Sequence, residues 1–217
     1  MARQARSEIT RRKIIDAALE LYEERGYAAT GMGDIIERAR ITKGALYYHF
    51  DSKEAVAADI VTIGSERILA SFVAVCRSSA PAIENLIHSS FVLADQLAGD
   101  RLARSATLLA LTLGPRIEAA SDANRKWSAA VAAQLKLVDE EDDLRKDVDS
   151  DAAAETIVAA SVGTMLKSVD VSEGADLPVR LINLWKVLLP ALVPEESLPY
   201  FREFLRRQPA GRSDQTP

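Results

Sequence analysis

The stretch that most constrains this chain is residues 41–50, Ile-Thr-Lys-Gly-Ala-Leu-Tyr-Tyr-His-Phe. The chain has five Phe, five Tyr and two Trp in 217 residues, yet Tyr47, Tyr48 and Phe50 crowd together beside Lys43 and His49. A hydrophobic core has no use for phenol, cation and imidazole on one short segment. A helix laid on DNA does: phenols and cations reach phosphates and base edges, while an apolar flank holds the helix down. Upstream, Ile35, Ile36 and Ala39 give a short helix, Met32 to Ala39, an inward side, and Arg40-Ile41-Thr42 separates it from the next. Two short helices across a tight break, the second polar and aromatic, describe a helix-turn-helix.

Helix geometry then assigns roles. At about 100° per residue, Leu46 and Phe50 fall on one side of the second helix, Gly44 and Tyr48 roughly opposite, and Tyr47 between. Leu46 and Phe50 are expected to pack on Ile14, Ala18 and Ile35. Thr42 can cap the helix. Gly44 and Ala45 lack bulk, so its first turn can approach a groove closely. Thr42, Lys43 and Tyr47 are expected at or beside base edges, and Tyr48, His49 and Lys53 at phosphates. Arg3 and Arg6 are expected to reach a neighbouring groove or backbone from a basic N-terminal arm.

The rest reads as helix. A first helix spans about Ser7 to Arg25, with Ile14, Ala18, Leu21 and Tyr22 on one stripe and Gly26 as its stop. Asp51-Ser52-Lys53-Glu54 has the pattern of a capping box, opening a fourth helix to about Cys76. Longer Ala- and Leu-rich helices follow, at about 81–98, 101–113, 121–138, 149–169, 177–192 and 195–207. The expected fold is all-α, with a three-helix helix-turn-helix domain over 1–52 and a larger helical ligand-binding and dimerisation domain over 53–207. The polar, Pro- and Gly-bearing tail over 208–217 is expected to be disordered.

Composition excludes more than it selects. The single cysteine, Cys76, permits no internal disulfide and no cysteine-rich zinc site, which suits a reducing cytoplasm. No apolar run is long enough to span a membrane, and the charged N-terminus lacks the apolar stretch of a secretory signal. The only histidines are His49, already placed on the DNA segment, and His88, expected on a helix surface or pocket edge. With no Gly-rich phosphate loop and no metal-ligand spacing, no enzyme, cofactor or metal is expected. The net charge of −5 is unevenly spread. Arg3, Arg6, Arg11, Arg12 and Lys13 face only Glu8 at the N-terminus, whereas residues 139–151 carry a run of carboxylates read as a solvated loop. Only the basic end would approach phosphate.

Two residues of the larger domain merit separate reading. Trp185 lies within an apolar face formed with Leu181, Leu184, Leu188 and Leu192, and reads as packing. Trp127 follows Asn124-Arg125-Lys126 and precedes Ser128-Ala129-Ala130; it can be a pocket wall or an ordinary core aromatic. Phe72, Leu86, Phe91, Leu109 and Leu113 can complete an apolar wall or be plain core. Ser161 and Thr164, in a run of small residues, can donate to a ligand or to the preceding helical turn. The small-faced 149–169 and Leu-faced 177–192 helices are the expected dimer pair.

Thr30 through Glu54, with Leu-Tyr-Tyr-His-Phe followed at once by Asp-Ser-Lys-Glu, resembles the DNA-binding head of the tetracycline-repressor family, over roughly residues 8–60. The resemblance implies an all-helical homodimer on double-stranded operator DNA, released by a small-molecule inducer. Met-Ala-Arg-Gln-Ala-Arg-Ser-Glu-Ile-Thr-Arg with Arg25-Gly26-Tyr27 looks like the γ-butyrolactone receptors of actinomycetes, a subfamily that controls antibiotic production. Trp127, Val162-Gly163-Thr164 and Leu184-Trp185 carry that likeness into the body. It implies that Trp127 lies against the signalling molecule. Some members also use a glutamine just after the fourth helix's apolar stretch, where this chain has Gly64. Two alternatives stay open: a repressor sensing a hydrophobic drug or metabolite, and a DNA-binding head on a ligand-free protein-interaction module.

Overall fold

The computed structural model describes residues 2–208, with side chains from residue 6 onward. Among these the architecture is all-α, as the sequence predicts, with no strand. The helices are α1 (Ala2–Arg25), α2 (Met32–Ala39), α3 (Lys43–His49), α4 (Lys53–Cys76), α5 (Ala82–Gly99), α6 (Arg101–Leu113), α7 (Glu118–Glu140), α8 (Ser150–Ser172), α9 (Leu177–Leu192) and α10 (Leu198–Arg206). A single 3-10 turn, Gly114–Arg116, follows α6.

Local chemistry sets the boundaries. Gly26, at φ 80°, ends α1 and donates its N–H to the Tyr22 carbonyl at 3.0 Å. Arg40 ends α2 in the left-handed region (φ 52°), and the Ile41 N–H returns to the Ile36 carbonyl at 3.2 Å. This closing pattern needs φ > 0 whether or not the residue is glycine. The Asp100 carboxylate accepts from the N–H groups of Leu102 and Ala103 and starts α6. Asp149 does the same for α8 through Asp151 and Ala152.

Two expectations are corrected here. The basic arm is the first turns of α1, so Arg6 is an exposed helical residue, and the side chain of Arg3 lies outside those described. The cap of α4 is Ser52 rather than Asp51: the Ser52 hydroxyl accepts from the Ala55 N–H at 3.1 Å, while Glu54 accepts from the Tyr27 hydroxyl at 3.1 Å. The tail beyond Gln208, expected to be disordered, lies outside the described residues.

The chain forms two compact units, Met1–Arg67 with Asp100–Asn124, and Ile68–Gly99 with Arg125–Pro217. By this grouping α6 belongs with α1 to α3 and the start of α4. Ala106, Leu109 and Leu113 of α6 share one buried core with Ile14, Ala18, Leu21, Ile35, Leu46, Phe50, Val56 and Ile60. Leu46 and Phe50 thus meet Ile14, Ala18 and Ile35 as expected. Gly64 shows how tightly α6 is held. A Cβ built there would stand 2.3 Å from the Ala106 Cβ and 3.0 Å from the Leu102 carbonyl oxygen. Ion pairs add fastening at the rim: Arg104 to Glu23 at 2.7 Å, Arg38 to Glu24 at 2.6 Å, and Arg11 to Asp59. Such pairs contribute at most about 1 kcal/mol each where exposed, so the apolar core dominates.

The second unit closes over Ile83, Ile87, Leu135, Leu144, Trp185, Leu189, Phe201 and Leu205. Trp185 is buried as expected, and its indole N–H donates to the Ser90 hydroxyl at 3.0 Å. The carboxylate of Asp176 fastens the α8–α9 corner, accepting from Ser168 at 2.5 Å, Ser172 at 2.6 Å and Arg180 at 2.7 Å. The acidic segment after α7 is pinned by buried Leu144 and by the Arg145 N–H on the Leu192 carbonyl at 2.8 Å.

Candidate functional sites

The helix α3 has two faces made by one short run. Leu46 is fully buried and Phe50 nearly so, whereas Tyr47 is 46% and Tyr48 73% exposed. The Thr42 hydroxyl accepts from the Ala45 N–H at 3.2 Å, so it caps the helix from an exposed position. Lys43 and Gly44 are exposed and Ala45 is half-buried. The Lys43 ammonium lies 5.8 Å from the Tyr47 ring centroid, one turn along, so cation and phenol share one face. A Cβ on Gly44 would meet nothing within 4 Å. No packing inside the molecule demands glycine here. An exposed surface without side-chain bulk, beside a lysine and two phenols, is suited to close approach by a phosphate backbone.

His49 is half-buried, its ring edge-on to Tyr48 with centroids 5.1 Å apart. The structure gives Lys53 an inward role that the sequence reading missed. Its ammonium donates to the Tyr27 carbonyl at 3.0 Å and lies 4.3 Å from the Tyr27 ring centroid. Burial, with Glu54 accepting its hydroxyl, pushes the Tyr27 pKa up to about 12. The Lys53–Tyr27–Glu54 group braces the start of α4 against the turn after α1. Tyr22 packs edge-on to Tyr27, and its buried hydroxyl has no hydrogen-bond partner among the described residues.

In the second unit, Trp127 on α7 is half-buried and packs against the core. Its ring meets Phe72 of α4 edge to face, with centroids 4.9 Å apart and planes at 65°. Leu86 and Phe91 are buried in the same core. Leu109 and Leu113, which the sequence leaves open as apolar wall or plain core, lie in the core of the first unit together with Ile14 and Leu46. Their helical spacing marks them as buried but carries no information about which core receives them. Ser161 and Thr164 are half-buried on α8. His88 is exposed, with Nδ1 3.2 Å from the Gln208 Oε1. Cys76 is half-buried, and burial pushes its thiol up to about 11. Among the described residues no cluster of His, Cys, Asp or Glu could hold a metal ion, and no helix is long and apolar enough to cross a membrane.

A capped recognition helix on a helix-turn-helix, followed by an all-helical body, defines a class of DNA-binding regulator. Residues 14–60 match "Bacterial regulatory proteins, tetR family", and residues 80–194 match "Tetracyclin repressor-like, C-terminal domain". The chain belongs to the tetR family of transcriptional regulators. It is similar to the A-factor receptor protein of Streptomyces griseus, 31% identical over 99% of this chain and 72% of that one. Among solved structures it resembles a gamma-butyrolactone receptor described as ArpA-like, with a TM-score of 0.77 and 29% identity over 93% of this chain and 97% of that one. It also resembles CprB from Streptomyces coelicolor in complex with its operator sequence, with a TM-score of 0.73 and 26% identity over 93% and 97% of the two chains.

Proposed function

We propose that this regulator is a homodimeric repressor that binds a pseudo-palindromic operator. A small signalling molecule of butyrolactone, butenolide or furan type, bound beside Trp127, releases it. The observation that carries the reading is the two-faced α3: a fixed apolar side and an exposed side of Lys43, Gly44, Tyr47 and Tyr48. Arg6 on the first turns of α1 adds a sequence-independent phosphate contact. The target genes are those of antibiotic or secondary-metabolite production. The protein works in the cytoplasm, and its action is regulatory rather than catalytic.

Three features support the partners. Trp127 is half-buried against Phe72, in a core that also holds Leu86 and Phe91, the mixture of aromatic and aliphatic groups that a neutral ligand needs. Ser161 and Thr164 supply hydroxyls on α8. The dimer face is α8 with α9, which leave Leu166, Val179 and Val187 exposed, Val187 by 74%. Aliphatic groups so exposed on two packed helices suit a two-fold four-helix interface. Ligand must bind one head spacing better than another, because equal affinity shifts nothing. Half-sites about 34–36 Å apart then fit only one of the two conformations. Because α4 runs through both compact units, it is the element assigned to carry the change.

The test is a gel-shift titration on the DNA upstream of the protein's own gene, with a panel of butyrolactones, butenolides and furans. Release by one of them, lost in Trp127→Ala while operator binding persists, is the expected outcome. Binding without release by any of the panel turns the reading toward a drug- or metabolite-sensing repressor. A Trp127→Ala protein released at wild-type doses removes Trp127 from the site.

A further inference from the structure

Among the described residues, Gln96 carries a buried side-chain oxygen, Oε1, with no hydrogen-bond partner. Its companions in the second unit are satisfied. The Ser89 hydroxyl donates to the Leu86 carbonyl at 2.9 Å, the Asn85 amide to the Ala80 carbonyl at 3.1 Å and the Gln134 amide to the Ala82 carbonyl at 3.2 Å. Gln96 occupies a defined place on α5. Leu86, Ser89, Leu93 and Gln96 recur at three- and four-residue steps, so they share one stripe of the helix. Leu86 and Ser89 are buried, and Leu93 and Leu97, on either side of Gln96, pack against the core that also receives Phe72 and Trp127. A carboxamide thus ends an apolar stripe with its acceptor buried and unmatched.

A buried acceptor without a donor makes the resting protein less stable than an apolar residue of the same shape would. Such a group fits a donor that arrives from outside. Leu93 and Leu97, its neighbours on α5, are aliphatic, which favours a neutral molecule. A hydroxyl is the neutral donor of smallest size. We propose that Gln96 is the polar contact for the inducer, accepting a hydrogen bond from a hydroxyl on an otherwise apolar ligand. This inference rests on the sensor reading given under Proposed function, and it narrows the ligand class to hydroxylated members.

The experiment uses the full-length protein bound to operator DNA and two butyrolactones that differ only in one side-chain hydroxyl. Wild type is expected to be released by the hydroxylated compound at a dose about tenfold lower, the ratio that corresponds to about 1.4 kcal/mol. Gln96→Met removes the amide at nearly constant length, and Gln96→Leu is a second apolar variant. Both are expected to bind operator normally, to unfold at or above the wild-type temperature, and to respond equally to the two compounds. A variant that keeps the tenfold preference overturns the proposal. So does a lowered unfolding temperature with the preference intact, which makes the amide a structural group. Wild type released equally by both compounds overturns this inference and leaves the sensor standing; wild type released by neither overturns the sensor reading and this inference together.

Discussion

The recognition helix and the Trp127 region are assembled in opposite ways. In α3 one short run supplies its own cap, its buried side and its exposed side, so the site is complete once the helix is docked. The Trp127 region draws Phe72 from α4 and Leu86 and Phe91 from α5, and exists only once the second unit has packed. A surface that reads another molecule can be written locally. A surface that encloses one cannot, because its walls come from separate elements. The consequence is a difference in tolerance: exposed residues of α3 can change without unfolding anything, whereas residues near Trp127 belong to a packed core and cannot change freely.

That contrast can be broken or sharpened by substitution. The largest effect is expected at Gly64→Leu, which drives a side chain into Ala106 and the Leu102 carbonyl. Overpacking of this kind costs about 3 kcal/mol, less the roughly 1 kcal/mol gained by removing a helical glycine. Chemical denaturation should show this as a lower midpoint; an unchanged midpoint would mean that α6 yields freely and is not part of the first unit's core. Next comes Lys43→Ala, expected to weaken operator binding about tenfold at matched salt, with the unfolding temperature unchanged. Equal affinity in a salt-matched titration would sink its role.

In the second unit, Asp176→Asn should lower the unfolding temperature at pH 7. Arg180, then Ser168 and Ser172, hold the Asp176 carboxyl well below the usual carboxylate range. A depressed folded-state value contributes stability that is present above the unfolded value of about 3.9 and is lost as pH falls through the folded one. The gap between wild type and variant should therefore be full above about pH 4 and narrow progressively as pH falls below it, and a gap of unchanged size between pH 5 and pH 2 would contradict the assignment. The smallest effect is expected at Tyr22→Phe. Removing a buried hydroxyl without a partner should leave stability unchanged or raise it by up to about 1 kcal/mol. A clear loss of stability in calorimetry would reveal a partner for that hydroxyl.

The sequence made α3 legible almost to the residue, because Thr42, Leu46 and Phe50 follow rules that act within a few positions. The helix end at Gly26 was legible for the same reason. The N-terminal arm was misread because basic residues say nothing about helicity, and α1 extends through them. Asp51-Ser52 offered two capping side chains, and only the backbone path chose Ser52. The contact of Lys53 with Tyr27 was illegible because the two are remote in sequence. Leu109 and Leu113 were legible as buried and illegible as to destination, since a 3.6-residue period states that a face is covered without stating by what. Gly64 was noticed for the side chain it lacks. A glycine within an apolar helical stretch is also the signal of close helix contact, and that reading finds Ala106.

The capture of α6 by the first unit bears on how such regulators can be recombined. A chimera that exchanges only residues 1–52 between two relatives parts Leu46 and Ile14 from Leu109 and Leu113, with which they share one buried core. The compact unit that carries α3 is discontinuous, residues 1–67 together with 100–124, so the two segments are expected to travel as a pair. Shuffling at the obvious boundary is then expected to yield poorly folded hybrids, and shuffling the paired segments to transfer operator preference intact.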